Sequence, residues 1–441
     1  MNYEDIVFSK IKGHLPDAFS ISTNFDIISR LRPDGILYYK QIPIAILEIK
    51  NRLDKRSIEF ASHQMIEYAK TYDVRIMVVC SETHACILSE SNDFRPNALL
   101  MELEFFVNSV LLPAVKEEKV DEATANEFKR IVKEQVSNIK ISNPHFASYI
   151  ESLTLADVEN SLRSTCDNYI FMTDSFEDKF FKKLIGEFNE DILCRYTSLS
   201  STIRILKDKK ASTCGIACMN DKSECYYVDQ YLSGKQSERL LTKMSEVEVK
   251  EVNSCFIMSC SDIKKHDKLT MWRMYGCDAT GTCFTYKKND ILRDNPKFYL
   301  APVSYAKENG NHPELDFIKK LCECKISGKK LIFQNLNLWK HFFKPFDYAD
   351  ECEIRLLYKD VDASKYKWIT TGNGILSPII EFCIENGKNE FPLTLEKIML
   401  GPKCAEKHTN AAQLKYFCKL QNIERTKNEI DIAISSIDNY R

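Results

Sequence analysis

The sequence predicts a multidomain chain: an α/β domain first, a helical connector next, and an α+β domain last. Three observations carry that expectation. The 441 residues suffice for two or three domains. Near the start, short apolar runs flank one long amphipathic stretch, as in a layered α/β domain. After about residue 97 the apolar spacing turns helical, and beyond about residue 175 strand-like runs return between short helical ones. The bounds read as 1–95, 96–174 and 175–441.

The elements follow in order. Residues 3–15 read as a helix, with Ile6, Phe8 and Ile11 on its apolar side. Residues 18–28 hold a strand or an irregular lead-in. Pro33-Asp34-Gly35 is a turn that opens a strand over 35–39. A strand follows over 42–49, and its run 44–49 is apolar on both faces, as in a strand buried inside a sheet. A helix over 57–72 and strands over 74–80 and 85–88 complete the first domain. Residues 99–115, 123–139 and 155–162 carry helical spacing. In the last part, a strand over 192–197 precedes a helix over 200–209. A strand over 255–258 then runs into Ser259-Cys260-Ser261.

Hydrophobic content of 44% and charged content of 28% are ordinary for a soluble globular protein. The formal net charge of −2 gives no bulk attraction to nucleic acid, so any such binding needs a local patch. Lys50, Arg52, Lys55 and Arg56 form one. The opening residues are polar and acidic, unlike a signal peptide, and no apolar run approaches a membrane span. The 17 cysteines are scattered, odd in number and without a Cys-x-x-Cys, which reads as reduced thiols in a cytoplasmic protein. No Gly-x-x-x-x-Gly-Lys-Ser/Thr occurs, so a P-loop motor of that form is excluded.

Chemistry concentrates first at Asp34, Glu48 and Lys50. Glu48 and Lys50 are two apart on a strand and share a face. Antiparallel pairing through a turn near Lys40-Gln41 brings Asp34 beside Glu48. Two carboxylates suit a hydrated Mg2+ ion, which keeps several waters, and a lysine can orient the attacking water or stabilise developing charge. Glu-x-Lys by itself is common at strand ends as a solvated pair; Pro-Asp upstream and Gln64-x-x-x-Tyr68 downstream, one helical turn apart, sharpen it.

This pattern resembles the PD-(D/E)xK nuclease superfamily, and most closely the N-terminal nuclease domain of type I restriction enzyme subunits, over residues 1–95. The resemblance implies a restriction-endonuclease-like sheet with flanking helices. It implies a Mg2+-dependent DNA endonuclease with Asp34 and Glu48 as metal ligands and Lys50 as the catalytic lysine. Gln64 and Tyr68 would position the phosphate or the motif. Glu4 falls where related nucleases place an accessory acid. A homodimer is the expectation carried over from such domains.

The C-terminal part carries Arg195-Tyr196, Asn220-Asp221-Lys222-Ser223-Glu224, Ser259-Cys260-Ser261, Trp272-x-x-Tyr275, Gly281-x-Cys283 and Glu351-x-Glu353-x-Arg355. The set resembles a bacterial family of unknown function, with Lys222 in place of a proline and Cys260 in place of a phenylalanine. Arginine, Ser-x-Ser and Glu-x-Glu in that order also resemble one ADP-ribosyltransferase class. That resemblance implies NAD as cofactor. Arg195 would hold its pyrophosphate and Ser259 the nicotinamide ribose, with Ser261 and Tyr275 also at the cofactor. Glu351 would orient an acceptor, and Glu353 would stabilise the cationic transition state. A plain structural reading stands beside it: Asn220-Asp221 a turn, Trp272 and Tyr275 core, and 351–358 an edge strand of alternating charge. A second nuclease built on Asp221, Glu224, Glu351 and Glu353 is a further reading.

Together the two resemblances imply a bacterial antiphage-type defence protein, by analogy. Two alternatives remain at this level. The first domain is a non-cleaving nucleic-acid sensor and the last domain the effector, or the whole chain is a non-catalytic binding module.

Overall fold

The structure is a computed structural model. It describes residues 3–16, 18–23, 33–40, 42–72, 74, 76–89, 99–165, 168–216, 226–234, 249, 252–370, 374–427 and 429–438. The chain divides into two compact units. One is Met1–Phe180 with Ser237–Val249 and Phe317–Leu336; the other is Phe181–Gln236 with Lys250–Asp316 and Asn337–Arg441. Residues 96–174, read from sequence as a connector, thus share a unit with 1–95. Among the described residues no helix is long and apolar enough to cross a membrane.

The first unit holds a mixed six-stranded sheet. Its elements are helix α1 (Tyr3–Gly13), β1 (Phe19–Ser22), β2 (Gly35–Tyr39), β3 (Ile42–Ile49), helix α2 (Lys55–Tyr72), β4 (Ile76–Cys80), β5 (His84–Ser89) and β6 (Leu99–Glu102). The strands lie in sequence order, and only β3 and β4 run parallel, joined across α2. Period-2 alternation sends Leu37, Ala45, Leu47, Ile76 and Val78 to one core with Val7, Phe8 and Ile11 of α1. Ile36, Ile46, Met77 and Val79 face the other way, against Ala61, Met65 and Tyr68 of α2. Both faces of β3 and β4 are covered, which is why their sequences are apolar except at Glu48. Asp54 caps α2 by accepting the Ser57 N–H at 2.8 Å.

Residues 99–115 depart from the expected single helix. Leu99–Glu102 pairs with β5 as an antiparallel edge strand, and the helix begins only at Leu103. A π-helical turn, Val107–Leu111, then keeps Val107 and Leu111 buried in the core shared with α1. Residues 96–174 are not all helical either. Glu118–Lys119, Leu162–Thr165 and Tyr169–Met172 form a second sheet, completed by Lys329–Ile332 and Lys325–Ile326. The helices here are capped by their own sequence: Asp121 for Glu122–Val136, Asn143 for Pro144–Ser152, and a Thr154–Asp157 capping box for Leu155–Ser161.

The second unit is built on a ten-stranded sheet. Its strands are β7 (Ile192–Thr197), β8 (Lys210–Gly215), β9 (Cys255–Asp262), β10 (Thr282–Lys288), β11 (Phe298–Pro302), β12 (Glu353–Lys359), β13 (Lys367–Thr370), β14 (Leu376–Cys383), β15 (Leu393–Leu400) and β16 (Asp431–Ile434). The main path runs β13-β14-β8-β9-β7-β10-β15-β16, with β12 pairing β9 and β11. Strand β9 pairs with β12 from Cys255 to Ser261. Along its other edge, Phe256 and Ile257 pair with β8, whereas Ser261 and Asp262 pair with β7. The sheet therefore splits where β7 and β8 part company alongside Met258–Cys260.

Candidate functional sites

The first candidate lies where β2 and β3 meet. Gly35 pairs with Leu47, so Asp34 falls opposite Glu48, as the sequence predicted. Asp34 Oδ2 accepts the Ile49 N–H at 2.6 Å, which fixes the carboxylate against β3. The Lys50 ammonium donates to Glu48 Oε1 at 2.7 Å. Glu48 is only 4% exposed. Burial first, and then the neighbouring Asp34 carboxylate, push its carboxyl upward, with Lys50 opposing. Its second oxygen, Oε2, is buried and has no hydrogen-bond partner among the described residues. Glu4 joins the group from α1. Burial and then the Asp34 carboxylate raise its carboxyl, with Lys50 again opposing. On α2, Tyr68 is buried in the core and Gln64 has a buried Oε1 without a partner.

Among the described residues, no group of three or more His, Cys, Asp or Glu is gathered closely enough to hold a metal ion alone. Mg2+ does not need such a cage, since one or two carboxylates plus waters commonly hold it. The orphaned, buried Glu48 oxygen beside Asp34 fits that donor set.

The second candidate is a cavity of about 280 Å³ at the split in the large sheet. Arg195, Ser259, Ser261, Tyr275, Glu351 and Glu353 all line it, so the whole set predicted from sequence meets at one place. Ser261 sits directly opposite Glu353 across β9 and β12, and Ser259 opposite Arg355. Cys214 of β8 and Tyr196 of β7 line the parted edges.

The acids of this cavity are held by cations. Arg355 grips Glu353 with two hydrogen bonds, Nε to Oε1 at 2.7 Å and Nη2 to Oε2 at 2.9 Å. Lys344 lies 2.8 Å from Glu353 Oε2 and donates to Glu351 Oε2 at 3.1 Å. The Tyr275 hydroxyl donates to Glu351 Oε1. Burial works to raise the Glu353 carboxyl, but Arg355 and Lys344 outweigh it and hold it at about 2. Arg195 is half-buried, and among the described residues its guanidinium has no hydrogen-bond or ion-pair partner. Lys344 and Tyr348 were assigned no role from sequence. Only the fold shows that the Lys344 side chain turns inward.

Trp272 has a different job. It is fully buried, donates to Asp267 at 2.8 Å, and serves as core, as the plain reading had it. Tyr275, three residues on, is 40% exposed and belongs to the cavity. Gly281 and Gly401 hold the turn that follows the helix Leu269–Tyr275. A Cβ on Gly281 would run into the Thr197 carbonyl, and one on Gly401 into that of Ala279. Residues 351–358 are not an exposed edge: Glu353, Arg355, Leu356 and Leu357 are all buried between β9 and β11. The residues 220–224 of the Asn-Asp motif, with Asp221 and Glu224, lie outside the described residues.

Cys352 marks where the chain passes from the turn that carries Glu351 into the strand that carries Glu353. Its φ of 43° places it in the left-handed region at the end of the turn Phe346–Glu351. Cys352→Gly is therefore expected to leave the unfolding midpoint unchanged or raise it, whereas Cys352→Val should lower stability by about 1–2 kcal/mol. Equal denaturation curves for the two variants would show that the turn does not depend on this backbone conformation.

A family model described as "Protein of unknown function (DUF2971)" matches residues 271–356. That span includes Trp272, Tyr275, Lys344, Glu351, Glu353 and Arg355. It is well short of half the chain. No nuclease family model matches. No curated protein and no solved structure matches the chain.

Proposed function

We propose that the first unit is a divalent-metal-dependent nuclease acting on nucleic acid, with DNA as the expected substrate. The observation that carries this reading is the meeting of Asp34, Glu48 and Lys50 at one point, with a buried carboxylate oxygen left unpaired. Asp34 and Glu48 would hold Mg2+, which when bound lowers the pKa of a water and neutralises phosphate charge. Lys50 holds its ammonium at the Glu48 carboxylate and is partly exposed, so it can donate to a phosphate oxygen or orient a water. The exposed Arg52, Lys55 and Arg56 follow directly on the chain and supply positive charge for a phosphate backbone. Lys50→Ala is expected to lower magnesium-dependent nicking of plasmid DNA by at least about a hundredfold. Nicking unchanged in that variant, or independent of magnesium, would remove the reading.

A specific observation favours a second reading, for the second unit. Six residues of the sequence pattern line a single cavity, and Arg195, which has no partner among the described residues, stands in its wall. We propose that this cavity takes NAD, with Arg195 toward the pyrophosphate. A nuclease-type site and an NAD site in one chain fit a defence protein that acts on foreign nucleic acid. In that setting either unit can be the effector and the other the sensor.

A further inference from the structure

We infer that Glu351, clamped between Lys344 and Tyr275, is the carboxylate that meets the ligand in the C-terminal cavity, and that Glu353 is a positioning residue. This assignment rests on the NAD reading of the cavity and reverses the roles that the transferase resemblance implies.

The two carboxylates differ in what their oxygens already do. Both Glu353 oxygens face Arg355, and Oε2 also faces Lys344. Its backbone N–H is tied to the Tyr305 hydroxyl at 2.9 Å. At 2% exposure, with two cations on it, Glu353 has little left to offer a sugar hydroxyl. Glu351 is different. It ends a short turn rather than lying inside the strand, it is 8% exposed, and one of its partners is the half-open Tyr275. A phenol hydroxyl can rotate away and yield its place to a ligand hydroxyl.

Charge bookkeeping agrees. Glu351 and Glu353 balance Lys344 and Arg355, and Arg195 is left as the surplus cation among these lining and buried groups. A wall with two bonded carboxylates and, among the described residues, one unpaired cation suits a ligand that is anionic at one end and carries hydroxyls at the other. About 280 Å³ is at or below the small end of ligand cavities, roughly 300–1,000 Å³. It encloses one nucleoside half of a dinucleotide, with the phosphates at Arg195. A carboxylate is repelled by those phosphates, so Glu351 is assigned to a ribose hydroxyl.

Lys344 acts through Glu351. Its ammonium reaches both acids from Phe343–Lys344, a strand whose partner Ser304–Tyr305 also carries the hydroxyl bonded to Glu353. It is a second positioning residue.

The test is calorimetric titration of NAD into the full-length chain, with thermal unfolding of each variant in parallel. Glu351→Gln is expected to weaken NAD binding about tenfold or more while its unfolding midpoint stays close to wild type. Glu353→Gln is expected to lower the midpoint clearly. Lys344→Met should weaken binding and Lys344→Arg should recover most of it, a rescue that a purely structural lysine would not show. Unchanged affinity in Glu351→Gln, or lost affinity in a Glu353→Gln variant of wild-type stability, overturns the assignment. Wild-type protein that does not bind NAD overturns the cavity reading, and this assignment with it.

Discussion

Arg355→Met is expected to destabilise the second unit by about 3–5 kcal/mol, a loss large enough to unfold it at moderate temperature. Arg355 is 1% exposed, and it anchors three groups: both oxygens of Glu353 and the His341 carbonyl. Methionine fills much of the volume but leaves Glu353 buried with Lys344 as its main cation. Removing one partner of a buried pair is far costlier than never having had the pair. The same network sets an acid limit. Glu353 titrates at about 2 in the folded chain and near its ordinary value of 4.5 when unfolded. Its contribution is therefore present above pH 4.5 and is lost as pH falls toward 2. Urea denaturation at pH 7, followed by hydrogen exchange in Glu353–Lys359, measures the effect. A shift under about 1 kcal/mol would mean that the buried network is not what holds this strand.

The nuclease-like site was legible because its parts are local. Asp34 and Glu48 are joined by one hairpin, so strand alternation and a short turn are enough to place them together. Most of the first sheet was legible for the same reason: β4 and, up to Glu48, β3 are apolar runs of the kind a doubly covered strand carries. Leu99–Glu102 was not. Its helical spacing is genuine over Leu103–Leu111, and pairing with β5 overrides it for four residues. The second sheet of the first unit was equally hidden. Its strands are short, and Lys329–Ile332 arrives from far along the chain to pair with Tyr169–Met172. No periodicity in either segment announces the other.

The C-terminal cavity divides in the same way. The residue types could be chosen from order along the chain, and the fold brings all of them to one place. Their bonds could not be read. The pattern Glu-x-Glu-x-Arg suggests alternating side chains on an exposed strand, yet the strand is central and its arginine folds back onto the second glutamate. Nothing in the chemistry of Cys352 signals its left-handed backbone, which closes the turn carrying Glu351 before the strand begins at Glu353.

Glu177 supplies a second large effect, of opposite sign, in the first unit. It is fully buried, and its two oxygens accept the backbone N–H groups of Gln334 at 3.0 Å and Asn335 at 2.8 Å. Burial pushes its carboxyl up to about 8; the two backbone bonds resist this and Asp178 and Asp174 add to it. The folded value lies above the unfolded one of 4.5, so the favourable contribution is complete below pH 4.5 and disappears as pH rises toward 8. A few kcal/mol are at stake across that window, at roughly 1.4 kcal/mol per unit. Glu177→Gln keeps one acceptor and removes the titration. It is expected to be less stable than wild type at pH 5, through the lost bond, and to close or reverse that gap by pH 8.5. Hydrogen exchange in Tyr169–Met172 and Lys329–Ile332, measured at both pH values, reads this unit directly. A wild-type stability that does not fall between them, or a variant that falls in parallel, would show that the carboxylate is held charged by the two backbone donors and that burial does not win.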